Sequence, residues 1–165
     1  MDEIYHIKYV DAYYSYAKKL GRVGLATHDA HGYVKKNGRN IVVAFIKSKK
    51  ARGKEEVALG LVVPDTALIP KKNTTKNKIL EKFKVGMLLA VTWRDIVIFD
   101  YTDSRNECSI MYTEGILFKT KDNLIVLKDP ETIRMSPVPV RNHPMKKPRY
   151  YIIPRSLVTD ITVIK

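Results

Sequence analysis

The sequence of 165 residues has a single cysteine, Cys108, and no long apolar run. One cysteine excludes an intrachain disulfide and a zinc cluster built on cysteines, and it fits a reducing compartment. No apolar stretch approaches the ~20 residues that a helix needs to cross a bilayer. The N-terminal segment is acidic and lacks the basic and apolar blocks of a secretion signal. We therefore expect a soluble, cytoplasmic protein with no membrane partner, in which Cys108 is a small buried apolar residue.

Signatures of common enzymes are also lacking. The sequence has no Gly-rich phosphate loop, no nucleophile elbow and no widely recurring nuclease signature. The one compact cluster of metal-capable groups is His28-Asp29-Ala30-His31, and no third ligand follows nearby. Such a cluster is typical of a turn. We expect no catalytic residue, no metal ion and no cofactor; a small metal-dependent nuclease that uses this cluster is the enzymatic alternative.

Positive charge is the dominant property of the composition. Thirty Lys and Arg residues against seventeen Asp and Glu residues give a formal net charge of +13. An excess of this size favours a polyanionic partner, of which nucleic acid is the usual one. A soluble protein whose lysines serve only to keep it dispersed is the alternative.

The cations are concentrated in two long stretches without Asp or Glu, residues 30–54 and 132–159. Such clusters release counterions when they meet a phosphate backbone. The second stretch also contains adjacent tyrosines, one of which we expect to face solvent and stack on a base, because side chains alternate along a strand. The predicted contacts in these stretches are Lys35, Lys36, Arg39, Lys47, Lys49, Lys50, Arg52, Arg141, Lys146, Lys147, Arg149, Tyr150 and Arg155.

Short apolar runs separated by turns predict a mainly β protein. Asn37-Gly38 is a strong hairpin signal, and it precedes the β-branched run 40–46. Two short helices are predicted near 11–20 and 75–84, because a capping residue precedes each and a glycine follows.

Composition also predicts a division of the chain. The polar, basic stretch 71–78 is the best candidate for a linker. It would separate an N-terminal basic lobe, residues 1–70, from a C-terminal barrel, residues 79–165. Residues 136–149 contain four of the eight prolines and predict a long loop.

An internal repeat links the two parts of the chain. Residues 32–43 and 115–126 align without a gap, since each begins with Gly and places Asn eight residues later, before an aliphatic triplet. A second pair of similar segments, 61–69 and 151–158, follows in the same order. This arrangement predicts two small, strongly bent β-barrels in tandem. One barrel with an unrelated basic lobe is the alternative.

The hairpin of residues 115–128 consists of an initial glycine, an aliphatic strand, a tip with Asp122 and Asn123, and a second aliphatic strand. It resembles the central motif of the Sm-like (Lsm) family of small five-stranded barrels, and the resemblance extends over about 77–165. In that family several residues separate the loop Asp from the Asn, whereas here they are adjacent. The resemblance implies a barrel, and it implies RNA contact at Asn123 with Asn40 as its counterpart in the first half.

These features together predict a non-catalytic nucleic-acid-binding protein. The resemblance favours RNA over DNA. A structural or assembly component of a ribosome, chromatin or virion is the alternative. Open edge strands need partners, so we expect either a homo-oligomer or pairing of the two barrels within one chain.

Overall fold

The computed structural model describes residues 4–45, 59–69, 82–100, 107–121, 123–136, 140–141 and 147–164. Within these ranges the chain is almost entirely extended, in keeping with its many alternating apolar residues. The strands are β1 (Ile4–Asp11), β2 (Tyr13–Ser15), β3 (Ala26–Asn37), β4 (Asn40–Phe45), β5 (Leu59–Pro64), β6 (Leu88–Asp95), β7 (Val97–Asp100), β8 (Ser109–Lys121), β9 (Leu124–Ser136), β10 (Val140–Arg141), β11 (Tyr150–Pro154) and β12 (Val158–Val163). Two 3-10 turns follow β5 and β11, at Asp65–Ala67 and Arg155–Leu157.

The strands form two antiparallel sheets. The first has the order β1-β3-β4-β5-β7, and the second has the order β12-β6-β8-β9-β11-β2 with β10 paired to β9. Three register shifts interrupt the long hairpin of β8 and β9, and bulges of this kind bend a sheet. The prediction of a mainly β protein is confirmed, and one sheet curls into a half-barrel.

The two halves of the chain share one order of strand pairing. In the first half Leu68 bridges Tyr9 of β1, and pairing continues from β1 to β3, β4 and β5. In the second half β12 pairs with β6, and pairing continues to β8, β9 and β11. The registers agree as well, because Tyr5 lies opposite Gly32 and Leu89 lies opposite Gly115. The two pairs of similar segments in the sequence therefore correspond to equivalent hairpins and to equivalent strands with the turns that follow them.

Each half also contributes one strand to the other half's sheet. The strand β2 follows β1 but pairs with β11, and β7 follows β6 but pairs with β5. One residue separates the strands at each crossing, Ala12 or Ile96, and its N–H donates to the carboxylate of the preceding aspartate, Asp11 or Asp95. The sheets therefore cut across the predicted division at residue 70. The predicted linker, 71–78, lies outside the described residues.

A single core joins the two sheets. Its fully buried members include Leu61 and Val63 from the first sheet and Trp93 and Leu127 from the second. A smaller cluster packs on the opposite face of the second sheet, where Val23 covers part of β9 and β11. Because apolar residues cover both of its faces, β11 is buried along its whole length.

The helix predicted near 11–20 is wrong. Tyr13–Ser15 is a strand paired with β11, and residues 16–20 are irregular. Backbone pairing to an open edge here outweighs a weak local helix preference. Of the helix predicted near 75–84, only residues 82–84 are described, and none of them is α-helical. Across the described ranges, no helix is long and apolar enough to cross a membrane.

Candidate nucleic-acid interface

The first basic surface lies on the β3–β4 hairpin. Val34 packs against the main core, so its neighbours Tyr33 and Lys35 point to the other face of the strand. The ring of Tyr33 is 41% exposed, and Lys35, Lys36 and Arg39 are exposed. We call Tyr33, Lys35, Lys36 and Arg39 the hairpin surface. Three of its members were predicted; Tyr33 was not, although the alternation Gly32-Tyr-Val-Lys35 contains the signal.

The tip of this hairpin is held firmly while the Arg39 side chain stays exposed. Gly38 adopts a left-handed conformation with φ 59°, as a tight two-residue turn requires. The carbonyl of Arg39 accepts the N–H of Asp65 at 2.9 Å and the Nη2 of Arg94 at 3.3 Å. The backbone at the tip is therefore fixed from two sides, and the side chain that it carries is exposed.

Asn40, by contrast, serves the fold. Its side-chain oxygen accepts a hydrogen bond from Arg94 Nη2, and the residue is half-buried. Arg94 also approaches Asp65, with Nη1 3.9 Å from Oδ1. The amide oxygen of Asn40 thus helps to attach the first hairpin to β6. The base contact at Asn40 stays a prediction, and this acceptor is engaged within the protein.

The second hairpin tip is equivalent in its backbone and different in its charge. The carbonyl of Asn123 accepts the N–H of Arg155 at 3.0 Å, as that of Arg39 accepts the N–H of Asp65. The bulge after Leu117 adds one residue to β8. The structural counterpart of Asn123 is therefore Arg39, and the counterpart of Asn40 is the fully buried Leu124. Asn123 itself is exposed, as a base-contacting residue must be.

A second basic surface is formed by residues 13–25, which we call the strap. Tyr13 and Leu20 pack with Val23 on the smaller core, and the Tyr13 hydroxyl donates to the carbonyl of Gly24 at 2.8 Å. The strap contains no Asp or Glu. Its exposed side chains include Tyr14, Tyr16, Lys18, Lys19 and Arg22, with 40% and 42% exposure of the two tyrosines.

Arg149 extends the strap's positive surface. Its N–H donates to the carbonyl of Ser15 at 2.9 Å, and its side chain is exposed. We call Tyr16, Lys18, Lys19, Arg22 and Arg149 the strap surface. Asp129, whose N–H donates to the Arg149 carbonyl at 2.8 Å, is an exposed carboxylate in the same region. Only Arg149 was predicted. The strap was missed because its positions were read as a helix.

Several other predicted contacts are buried or paired. Tyr150 is 5% exposed and packs edge-on against Phe118, so this conformation leaves little of its ring accessible to a base. The adjacent Tyr151 is also buried, because apolar residues cover both faces of β11. Lys147 forms an ion pair with Glu131. Arg155 is half-buried, and burial lowers the pKa of its guanidinium.

For the remaining predicted contacts the structure describes no side chain. Arg141 is described only in its backbone pairing with Ile133. The residues Lys47, Lys49, Lys50, Arg52 and Lys146 lie outside the described residues.

The histidine cluster lies on β3, not in a turn. The Nε2 of His6 is 2.9 Å from Asp29 Oδ1, and the ring of His28 stacks on Tyr9 with 5.5 Å between centroids. Within the described ranges, no group of three or more His, Cys, Asp or Glu residues is arranged to hold a metal ion.

A buried acidic pair lies where the strands cross between sheets. Burial, and then the negative charge of Asp11, raises the pKa of Asp95 to about 7. Burial also raises the pKa of Asp11. Cys108 is 6% exposed, as expected, and burial raises the pKa of its thiol to about 12. A thiol protonated to that degree is a poor nucleophile.

Comparison with known proteins finds no family model, no curated protein and no solved structure that matches this chain.

Proposed function

We propose that the protein binds single-stranded nucleic acid through the strap surface and the hairpin surface, without catalysis. The observation that carries the proposal is the strap surface, where three exposed cations and an exposed tyrosine lie on a segment without acidic residues and Arg149 adds a fourth cation beside it. The hairpin surface repeats the combination with three cations and Tyr33.

The chemistry of both surfaces suits a flexible polyanion. Lys and Arg neutralise phosphates and release counterions whatever the sequence. An exposed tyrosine ring stacks on a base and contributes about 1–3 kcal/mol, which selects for unpaired strands. RNA is the favoured partner because of the resemblance of the second hairpin to Sm-like proteins. The shared pairing order, with five strands in the second half and with four strands and the bridge at Leu68 in the first, supports a pair of Sm-like units. Closure of each unit into a barrel belongs to the proposal.

The direct test is a salt titration of binding to U-rich single-stranded RNA and to DNA of equal length, followed by fluorescence anisotropy. We expect log K to fall linearly with log salt, with a slope of about 0.7 for each phosphate neutralised on a single strand. Lys18→Gln/Lys19→Gln should reduce the slope and weaken binding to both ligands. Lys82→Gln/Lys84→Gln removes the same charge from exposed lysines outside both surfaces, and it should have a smaller effect.

Two results would overturn the proposal. One is the absence of binding to either nucleic acid at low salt. The other is an equal loss for both double variants, because binding would then depend on net charge and not on the strap. Tyr16→Ala and Tyr33→Ala test the stacking component separately, since these substitutions leave the charge unchanged.

A further inference from the structure

The last strand of the chain is the longest edge without a cover among the described residues. The six-residue β12 pairs only with β6. The other sheet ends differ: β2 has three residues, β7 has four, and β1 is flanked on its outer side by a bridge from Tyr9 to Leu68 and by a hydrogen bond from the Ile69 N–H to the Lys8 carbonyl. Proteins usually shorten, cover or charge such edges to prevent association.

The backbone of β12 presents hydrogen-bonding groups to this open side. The N–H of Ile164 donates to the carbonyl of Leu88 on β6 at 2.9 Å. In an antiparallel ladder, alternate residues point to the same neighbour. The backbone N–H and carbonyl groups of Asp160 and Thr162 therefore point towards β6. Those of Ile161 and Val163 point away from it, to the open side.

The side chains of β12 do not block pairing. Residues 158–164 contain one charged residue, Asp160, and no Lys or Arg, in a chain with a net charge of +13. The edge is thus one place where two copies can approach without contact between cations. The side chain of Val163 is 43% exposed, so an apolar group there gains by being covered.

We propose that β12 pairs antiparallel with β12 of a second copy, with Ile161 at the two-fold axis. Paired residues must lie on the same face, so a symmetric register is centred on a residue. A register centred on Asp160 would oppose two carboxylates in a pair without backbone hydrogen bonds, where the side chains of an antiparallel ladder lie closest. Centring on Ile161 places Asp160 opposite Thr162 of the second copy. Regular pairing ends there, because a register shift between Val158 and Asp160 interrupts the ladder with β6 at Thr159. This inference does not depend on nucleic-acid binding.

The first measurement is the mass of the full chain by light scattering, after nuclease treatment and at high salt. We expect twice 18.9 kDa, falling to one chain on dilution. Ile161→Pro should give a folded monomer, because the N–H that it removes faces the open side and not β6. A wild-type chain that stays monomeric at every concentration would overturn the proposal.

Cysteine cross-linking tests the register. Paired residues of the hydrogen-bonded type have Cα atoms about 5.5 Å apart, within the range that a disulfide spans. Ile161→Cys should therefore form a disulfide dimer under mild oxidation. Asp160→Cys and Val163→Cys are the controls, because each would lie too far from its own copy. The buried Cys108 should stay reduced. Failure of Ile161→Cys to cross-link, or equal cross-linking of all three variants, would contradict this register.

Discussion

The two halves of the chain have the same strand order and fill equivalent positions with different residues. Trp93 in the second half corresponds to Tyr9 in the first, and Thr113 corresponds to Ala30. The Trp93 Nε1–H donates to Thr113 Oγ1 at 3.0 Å, and that hydroxyl lies 2.9 Å from Thr132 Oγ1. In the first half Tyr9 instead stacks on His28 near the sheet margin.

The two halves also differ in where they have charged residues. At the hairpin tips, exposed Arg39 corresponds to exposed Asn123. In the long strands, buried Val10 corresponds to Arg94, which holds the first tip in place. The second half therefore carries the buried polar network and the attachment, and the first hairpin carries the exposed cations. The second half thus holds the exposed tip of the first hairpin in place.

The largest expected effect concerns the two crossing aspartates, Asp95 and Asp11. The pKa of Asp95 is raised from its ordinary value near 4 to about 7, so its ionisation opposes folding. The stability that it contributes is fully present below about pH 4 and is lost as the pH rises through about 7, at about 1.4 kcal/mol per pH unit. Asp95→Asn should remove this loss, which denaturant titrations of both proteins across the pH range will measure.

Asp95 lies close enough to Tyr151 and Cys108 for its charge to raise the pKa of each, and His28 acts in the same way on Asp11 but lowers its pKa. Because Asp95→Asn changes a single carboxyl, the difference between its pH profile of stability and that of wild type reports on Asp95. Asp11→Asn is the matched variant from the first half, and it should lower the pKa of Asp95 by removing a like charge. Parallel pH profiles for wild type and Asp95→Asn would contradict the role assigned to this carboxyl.

The next effect is steric. A Cβ at Gly115 would lie 2.9 Å from the Cβ of Leu127 and 3.2 Å from the carbonyl oxygen of Lys128. Gly115→Ala should therefore lower the free energy of unfolding by about 1–3 kcal/mol, as overpacked cores do. Gly21→Ala is the control, since nothing lies within 4 Å of its Cβ. Equal stability of the two variants would show that β9 can shift to accommodate the Cβ without lowering the free energy of unfolding.

Removing the hydroxyl that distinguishes the second half should have a somewhat smaller effect. Thr113→Val keeps the side-chain shape but leaves the Trp93 N–H buried without an acceptor, at a cost of about 1–2 kcal/mol. Thr132→Val should cost less, because Thr113 still accepts from Trp93. Thermal or denaturant unfolding will rank the two variants. The reverse order would mean that Thr132 is the residue that satisfies this network.

Alternation and turn signals were sufficient to predict much of this fold. They located β4, the hairpin at Gly38 and the hairpin of β8 and β9, and the repeat predicted the equivalence of Gly32 with Gly115. They did not predict the crossings after Asp11 and Asp95, because pairing between distant strands has no local signature.

The site was predicted less completely than the fold. The cations of the first hairpin are exposed as expected. The strap surface was missed because a helical spacing of Tyr13 and Tyr16 outweighed the possibility of an edge strand. Alternation predicts one exposed face for β11, but Tyr150 is buried because the strap covers that face. Asn40 was paired with Asn123 because a single bulge shifts the alignment by one residue.

The smallest predicted effect exchanges the two hairpin tips. Arg39→Asn gives the first tip the residue found at the equivalent position of the second, and Asn123→Arg does the reverse. If the first hairpin contacts phosphate, Arg39→Asn should reduce the salt slope of RNA binding by about 0.7, which corresponds to one lost contact. Because the Arg39 contacts within the protein use its carbonyl, stability should change little. Anisotropy titrations at several salt concentrations will measure the slope.

Asn123→Arg adds the same charge at a tip that lies outside the hairpin surface and the strap surface, so it should strengthen binding less than Arg39→Asn weakens it. Equal and opposite changes would instead show that both tips contact the ligand and that the two halves bind as a symmetric pair.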